Sequence, residues 1–390
     1  MLALELIFWV CVALILWTQL GYGLALAGLA RLLPAAADAG RPRGTPGAGG
    51  TGRSPSLPSL SLIIAAHDEQ AVIAATVENA LALDYPRELL EVIVACDGCE
   101  DDTASRSRAA GADLVLELAR GGKIRAQDAA VSRARGEVVA FSDANALWEP
   151  GAARALVEAF DDPLVGYACG QVRFLGAPGG GNQEGLYWRY ELRLRSLESR
   201  LSSVTAGNGA IYATRRDAYI VVDPIMGHDL SLPFNMVKRG LRAVYVPGAR
   251  AQEKMVPSLG GEFARKRRMM SHTWPILLRG GMLSPRGYRP GYALMIFSHR
   301  LLRYSTPGLH ALALAANVAL VALGAGLTYT ITLALQLALL LAAALAGMLR
   351  ARPLLIARYY VLTTASPAAG LWDWVRHGTP ASWDAAEGTR

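Results

Sequence analysis

Three stretches of this 390-residue chain run from apolar residues into oxygen-bearing side chains. Residues 138–145 read VVAFSDAN and deliver Asp143 and, two positions on, Asn145. SLSLIIAA (59–66) leads into His67-Asp68-Glu69, and LLEVIVAC (89–96) leads into Asp97. A turn or a helix cap accounts for any one of these, because Asp and Asn accept hydrogen bonds from free backbone amides. Three together gather negative charge that repels itself unless a cation or hydrogen-bond donors stand between the groups. The chemistry open to such a cluster is the binding of a hard divalent cation, which prefers oxygen ligands, or of a phosphate.

The elements that must position these groups can be read from periodicity. Residues 69–83 place Ile73, Val77, Ala80 and Leu81 on one helical face. Residues 102–110 fit a short helix, ADLVLELA (112–119) a strand, 123–134 a helix and GEVVAFS (136–142) a strand. A further helix start is expected at Glu149-Pro150. Strands alternating with helices predict a mostly parallel α/β sheet flanked by helices. In open sheets of that kind ligands bind beyond the carboxyl ends of the strands. All three acidic runs sit at such ends.

The flanks are of another composition. The chain is 52% hydrophobic with a formal net charge of +7. Residues 6–30 carry no charge, and a bilayer core needs about 20 apolar residues. The run lacks a basic start and is longer than the apolar part of a signal peptide, so an uncleaved anchor is expected. Residues 307–349 contain no acid, Lys or Arg, enough for two crossings with a break near 324–328. Arg31, Arg41, Arg43 and Arg53 follow the first run, Arg300 and Arg303 precede the second, and Arg350, Arg352 and Arg358 follow the third. The link between the second and third has none, so positive charge orients the middle of the chain to the cytoplasm. Residues 354–371 fit either a fourth span or an interfacial helix.

The expected organisation is an N-terminal transmembrane anchor (1–32), a flexible Pro/Gly/Ala/Ser-rich linker (33–58) and a cytoplasmic catalytic domain (59–256). Basic interfacial helices (257–305), two transmembrane helices (306–350) and an interfacial or fourth membrane segment with a tail (351–390) follow. The positive charge suits anionic membrane lipids, and no nucleic-acid module is apparent. Cys96-Asp-Gly-Cys99 matches CxxC, a redox or metal half-site when read alone, but no second CxxC exists.

From about residue 60 to 268 the chain resembles the family 2 glycosyltransferases, inverting enzymes of the GT-A fold. SLIIAAHDEQAVIAATVENALALDYPRELLEVIVACDG is similar to the family's opening strand, acidic turn, helix and second strand. DGCEDDT resembles its Asp-Gly-Ser-x-Asp-x-Thr loop, with Cys99 where Ser is usual. GGKIRAQDAAVSRARGEVVAFSDAN resembles the Gly-Lys segment that leads into the DxD strand. GNGAIYATRR resembles the segment lining the acceptor side, and MGHDLSLPFNMVKRGLRAVYVPGARAQE the Glu-Asp helix with the strand after it. Each motif is weak alone; the ordered set spans more than half the chain.

The resemblance implies a nucleotide-sugar donor, with UDP the expected nucleotide. It implies Asp143 as the first Asp of DxD, with Asn145 in place of the second, together holding Mg2+ or Mn2+. An amide oxygen can ligate a hard cation but lends no charge. Asp97 and Gly98 are expected at the base, Ala66, His67, Asp68 and Glu69 at base and ribose, and Lys123 at the base or diphosphate. Asp229, in Gly-His-Asp-Leu, matches the catalytic base, with His228 where Glu is usual; capping of its helix is the other reading. EFARKRRMMSHTW (262–274) sits where processive members carry Gln-x-x-Arg-Trp, but its Trp spacing differs. There Arg267 or Arg268 is expected at the pyrophosphate, or else the segment meets anionic lipid heads.

The implied function is transfer of a sugar, with inversion, to a lipid-linked or glycolipid acceptor in polysaccharide or glycolipid assembly, at the inner membrane of a bacterium. The alternatives are a processive polysaccharide synthase and a non-catalytic membrane protein that keeps the fold.

Overall fold

The structure is a computed structural model that describes residues 1–36, 57–175, 183–254, 259–349 and 351–381. Most of the expected linker, residues 37–56, lies outside the described residues, as do 255–258.

The strands follow the apolar runs. β1 (Leu60–Ala66) and β2 (Leu90–Asp97) are buried at every position, as expected of strands covered on both faces. β3 (Leu114–Leu118) and β4 (Val138–Asp143) complete a parallel half. Between them run α1 (Ile73–Leu81), α2 (Thr103–Ala109) and α3 (Lys123–Arg133). Asp68 takes a left-handed φ of 50°, and the chain turns before α1, so that helix is shorter than its periodicity predicts.

The other half of the sheet is mixed, which the strand–helix alternation of the first half did not reveal. After the two-residue β5 (Leu147–Trp148) come α4 (Ala152–Glu158), β6 (Val165–Leu175), α5 (Gln183–Leu201) and β7 (Ile211–Arg215). Then follow α6 (His228–Lys238) and β8 (Arg242–Lys254). The strand order is β3-β2-β1-β4-β7-β6-β8-β5, with β7 antiparallel to both β4 and β6. Leu60, Leu62, Ile64, Val92 and Val94 face α1 and α4 on one side of the sheet. Ile63, Ile93, Phe141 and Tyr212 face α3 and α6 on the other.

This topology sets where ligands can go. From β1 the chain steps one way to β2 and β3, then returns to place β4 on the opposite side of β1. The crevice lies at that reversal. Register brings the strand ends level, with Ala66 beside Cys96 and Ala65 beside Asp143. His67, Asp97 and Asp143 therefore share one edge.

Among the described residues two helices are long and apolar enough to cross a membrane, Leu2–Leu32 and Leu327–Leu345. A third crossing exists if Pro290–Tyr304 and Thr306–Ala322, which meet at 62°, form one bent span. Phe8 and Cys11 of the first helix pack on Ala313, Ala316 and Leu320, where small side chains let the backbones approach. The last helix (Arg352–His377) lies along α7 (Leu259–Leu278), and Trp274 Nε1 donates to the Pro367 carbonyl at 2.8 Å.

Tyr22, Glu198, Thr205 and His299 join the apolar helices to the sheet domain through a buried polar cluster. Tyr22 Oη donates to Glu198 Oε1 at 2.6 Å, and His299 Nδ1 lies 2.7 Å from the same oxygen.

Candidate active site

Lys123, the first residue of α3, pairs its ammonium with the Asp143 carboxylate at the end of β4. Burial works against the lysine's charge, yet Asp143, then Asp229 and Glu253, hold its pKa above the ordinary value. One cation thus sits in the field of three carboxylates drawn from β4, α6 and β8. The side chains of Lys123 and Asp143 remain 23% and 28% exposed, so the pair faces the crevice. Asp143 is not a helix cap: α4 starts at Ala152, later than the expected Glu149-Pro150, and has no side-chain cap.

Asp229 lies in the first turn of α6, whose N-cap, Gly227, makes no side-chain cap bond. Asp229 is therefore not itself the N-cap, and its charge lies at the positive end of the helix. Its carbonyl accepts from Gly207 N at 2.6 Å, which ties the helix start to the Gly207-Asn208-Gly209 loop. Gly207 is required there, since a Cβ would stand 1.8 Å from Tyr167 Oη.

His228, only 2% exposed, is wedged between two hydroxyls. Its Nδ1 is 2.9 Å from Tyr212 Oη and its Nε2 3.2 Å from Tyr219 Oη. Tyr219 donates its proton to Asp128 at 2.6 Å, so Nε2 carries the imidazole proton and Nδ1 accepts from Tyr212. Burial first, and then Lys123, push its pKa down to about 3, so the ring beside Asp229 stays neutral.

The Asp97 carboxylate is 1% exposed and accepts from the amides of Gly121, at 2.6 Å, and Gly122, at 3.0 and 3.1 Å. It anchors the loop that carries Lys123. Any contact with a base must be added to, or exchanged for, those bonds. Gly98 has φ 60°, and a Cβ there would stand 3.0 Å from the Arg120 backbone, so only glycine lets the two loops close. His67 Nδ1 donates to the Asp97 carbonyl at 2.8 Å, and Asp68 accepts from Glu100 N at 2.8 Å. Glu69 N donates to Thr103 Oγ1, and the Ala66 carbonyl accepts from Cys99 Sγ at 3.5 Å. The four residues of the first acidic turn thus form one wall of the crevice together with the Cys99 loop. Cys96 and Cys99 are free thiols. One ligand atom from each of Cys99, His67 and Asp68 lies within 4.8 Å of the others.

The basic segment divides. Arg267 makes a bidentate pair with Asp373 of the last helix, 2.6 Å on each arm, so a role at a pyrophosphate requires that pair to open. Arg268 is exposed, and its charge, together with that of Asp229, is felt by His272, whose pKa burial lowers. His272 Nδ1 donates to the Ile225 carbonyl at 3.0 Å, a structural bond. Trp274 is 7% exposed and packed between helices.

Sequence reasoning passed over Glu253. Its Oε1 is shut off from solvent and has no hydrogen-bond partner. Burial, and then Asp143, raise its pKa. The signal was available: Ala249 and Ala251 turn inward on β8, and Glu253 is next at the two-residue spacing. The oxygen donors of Asp143, Asn145 and Glu253 suit a hard divalent ion such as Mg2+ or Mn2+ better than a soft one.

Residues 58–271 match the family described as Glycosyltransferase like family 2. The chain belongs to that family. Poly-beta-1,6-N-acetyl-D-glucosamine synthase of Staphylococcus aureus, strains COL and N315 among others, is 24% identical over 251 residues. The match covers 61% of this chain and 60% of the relative, so the chain spans about three fifths of the length of these curated relatives. Among solved structures, the mannosyltransferase PcManGT from Pyrobaculum calidifontis, in complex with GDP-Man and Mn2+, overlays with a TM-score of 0.69. It is 23% identical, over 96% of this chain and 99% of that one. The likeness shows the fold, the GT-A arrangement of family 2 glycosyltransferases with apolar helices at the ends.

Proposed function

We propose that this chain is a membrane-bound glycosyltransferase that moves a sugar, with inversion, from a nucleotide-sugar of the UDP class to a lipid-linked or glycolipid acceptor. The observation that carries the reading is the meeting of Asp143, Lys123 and Asp229 at the carboxyl edge of the sheet. When the glycosidic bond breaks, the leaving nucleoside diphosphate gains negative charge. A Mg2+ or Mn2+ ion held by Asp143 and Asn145 would neutralise it.

Lys123 is already in the crevice and offers a second positive charge to the same oxygens. Asp97 orders the Gly121-Gly122 loop beside the donor base. The turn from Ala66 to Glu69 bounds the base and ribose, and Arg268 lies on the side of Asp229. Asp229 takes the proton of the acceptor hydroxyl on the face opposite the leaving group. Neutral His228 adds no charge beside it, and its two tyrosine partners fix the start of α6.

The acceptor reading rests on the apolar helices packed against the sheet domain, which hold the crevice near a membrane. The Arg distribution supports a cytoplasmic crevice and an inner-membrane location. The S. aureus relatives, named as polysaccharide synthases, favour a second reading, in which the same site adds sugars repeatedly. The absence of a Gln-x-x-Arg-Trp spacing in residues 262–274 weighs against it.

The test is incubation of the full-length protein, in membranes, with labelled UDP- and GDP-sugars and Mn2+. Label extracted into organic solvent as a single addition supports the proposal. A ladder of long products supports the polysaccharide reading, and no transfer to any lipid refutes the acceptor class.

A further inference from the structure

Asn145 leaves the expected cation site one carboxylate short. Pairing of β5 with β8 shows where a replacement stands. Leu147 is opposite Gln252 and Trp148 opposite Ala251 in an antiparallel register. One step further along that ladder puts Glu253 across from Ala146, next to Asn145. Glu253, half-buried, continues at the two-residue spacing the face of the buried Ala249 and Ala251. Its Oε1 is closed to water and has no hydrogen-bond partner, an arrangement that costs free energy unless something binds there. The nearby cations Lys123 and Arg265 attract Glu253 without a hydrogen bond to that oxygen, while Lys123 pairs with Asp143 and Arg265 with both oxygens of Glu262 at 2.8 Å.

We infer that Glu253 supplies the second carboxylate of the divalent-cation site, restoring from β8 the charge that Asn145 removes from the loop after β4. The inference rests on the glycosyltransferase reading of the crevice. With Asp143 and Glu253 the site offers two negative charges to a 2+ ion, and Asn145 adds a neutral oxygen. Lys123 holds one of those carboxylates while no ion is bound, so metal entry displaces its ammonium from Asp143.

The test is binding of Mn2+ alone, followed by the loss of the free-ion electron paramagnetic resonance signal, to the full-length protein in detergent. Wild type, D143N, E253Q and the double variant N145D/E253Q are compared. The expected result is that D143N and E253Q each weaken Mn2+ at least tenfold. The double variant, which moves the second carboxylate to position 145, recovers most of the loss. Wild-type affinity in E253Q with loss in D143N overturns the role of Glu253 and leaves the metal reading of the crevice standing. Failure of the wild type to bind Mn2+, with or without UDP present, overturns both. If E253Q does not fold, E253D decides: a carboxylate drawn back by one methylene weakens Mn2+ if Glu253 is a ligand, and wild-type affinity in E253D overturns the inference.

Discussion

Acidification should destabilise this protein through His228, and the size of the effect follows from its surroundings. The imidazole is buried between Tyr212 and Tyr219, and its pKa falls from 6.5 to about 3 on folding. The folded state therefore binds the proton less readily than the unfolded chain. The stabilisation is fully present above the unfolded pKa and is lost as pH falls from 6.5 toward 3. Between pH 7 and pH 5 the difference in proton binding amounts to about 2 kcal/mol. For a domain of this size that lowers the melting temperature by roughly 4–8 °C.

His272, also lowered by burial, acts in the same direction. Asp128 and Glu253, raised by burial, act in the opposite one. The informative quantity is therefore the difference between wild type and H228Q, in which glutamine bridges the two hydroxyls and cannot titrate. Melting curves of both proteins in detergent at pH 5, 6 and 7 should converge as pH falls, with wild type losing about 2 kcal/mol more than the variant. Parallel curves would refute the claim that a neutral imidazole sits at the start of α6.

Three further outcomes follow from the same geometry. D143A should keep the fold, changing stability by about 1 kcal/mol or less, while divalent-dependent binding of a nucleotide-sugar collapses, read by isothermal calorimetry with and without Mn2+. N145D should lower the Mn2+ concentration needed for half-maximal activity; turnover slows if release of the nucleoside diphosphate limits the rate. C99S should leave transfer near wild type under reducing conditions, because the thiol donates only one long bond to the Ala66 carbonyl. A hundredfold loss there, about 2.7 kcal/mol of transition-state stabilisation, would give the thiol a role at the donor.

The parallel half of the sheet was legible because β1 and β2 are continuous apolar runs bounded by turns. The acids at their ends identified the crevice edge. The mixed half was not, because β6 to β8 pair out of chain order and only tertiary packing selects those partners. Asp143, Lys123 and Asp229 were singled out by type and order, and the fold brings them near one another across residues 123–229.

What sequence spacing cannot show is how a carboxylate is occupied. Asp97 looks like an open ligand in the sequence, and in the structure it is filled by two backbone amides. Arg267 looks like a free cation beside a diphosphate, and it is held by Asp373, 106 residues away. Glu253 was missed for the converse reason. It belongs to no acidic run, and only the register of β8 against β5 reveals its neighbours.

The central claim, that the crevice turns over a nucleotide-sugar with Asp229 as the base, is tested most directly by nucleoside diphosphate release. A panel of UDP- and GDP-sugars is given to purified full-length wild type and D229N in the presence of lipid extract and Mn2+. The account predicts release from at least one donor by wild type and its loss with a chelator. In D229N turnover should fall about a hundredfold or more while donor binding is retained. Equal turnover by D229N, or no binding and no release with any donor by wild type, would contradict it.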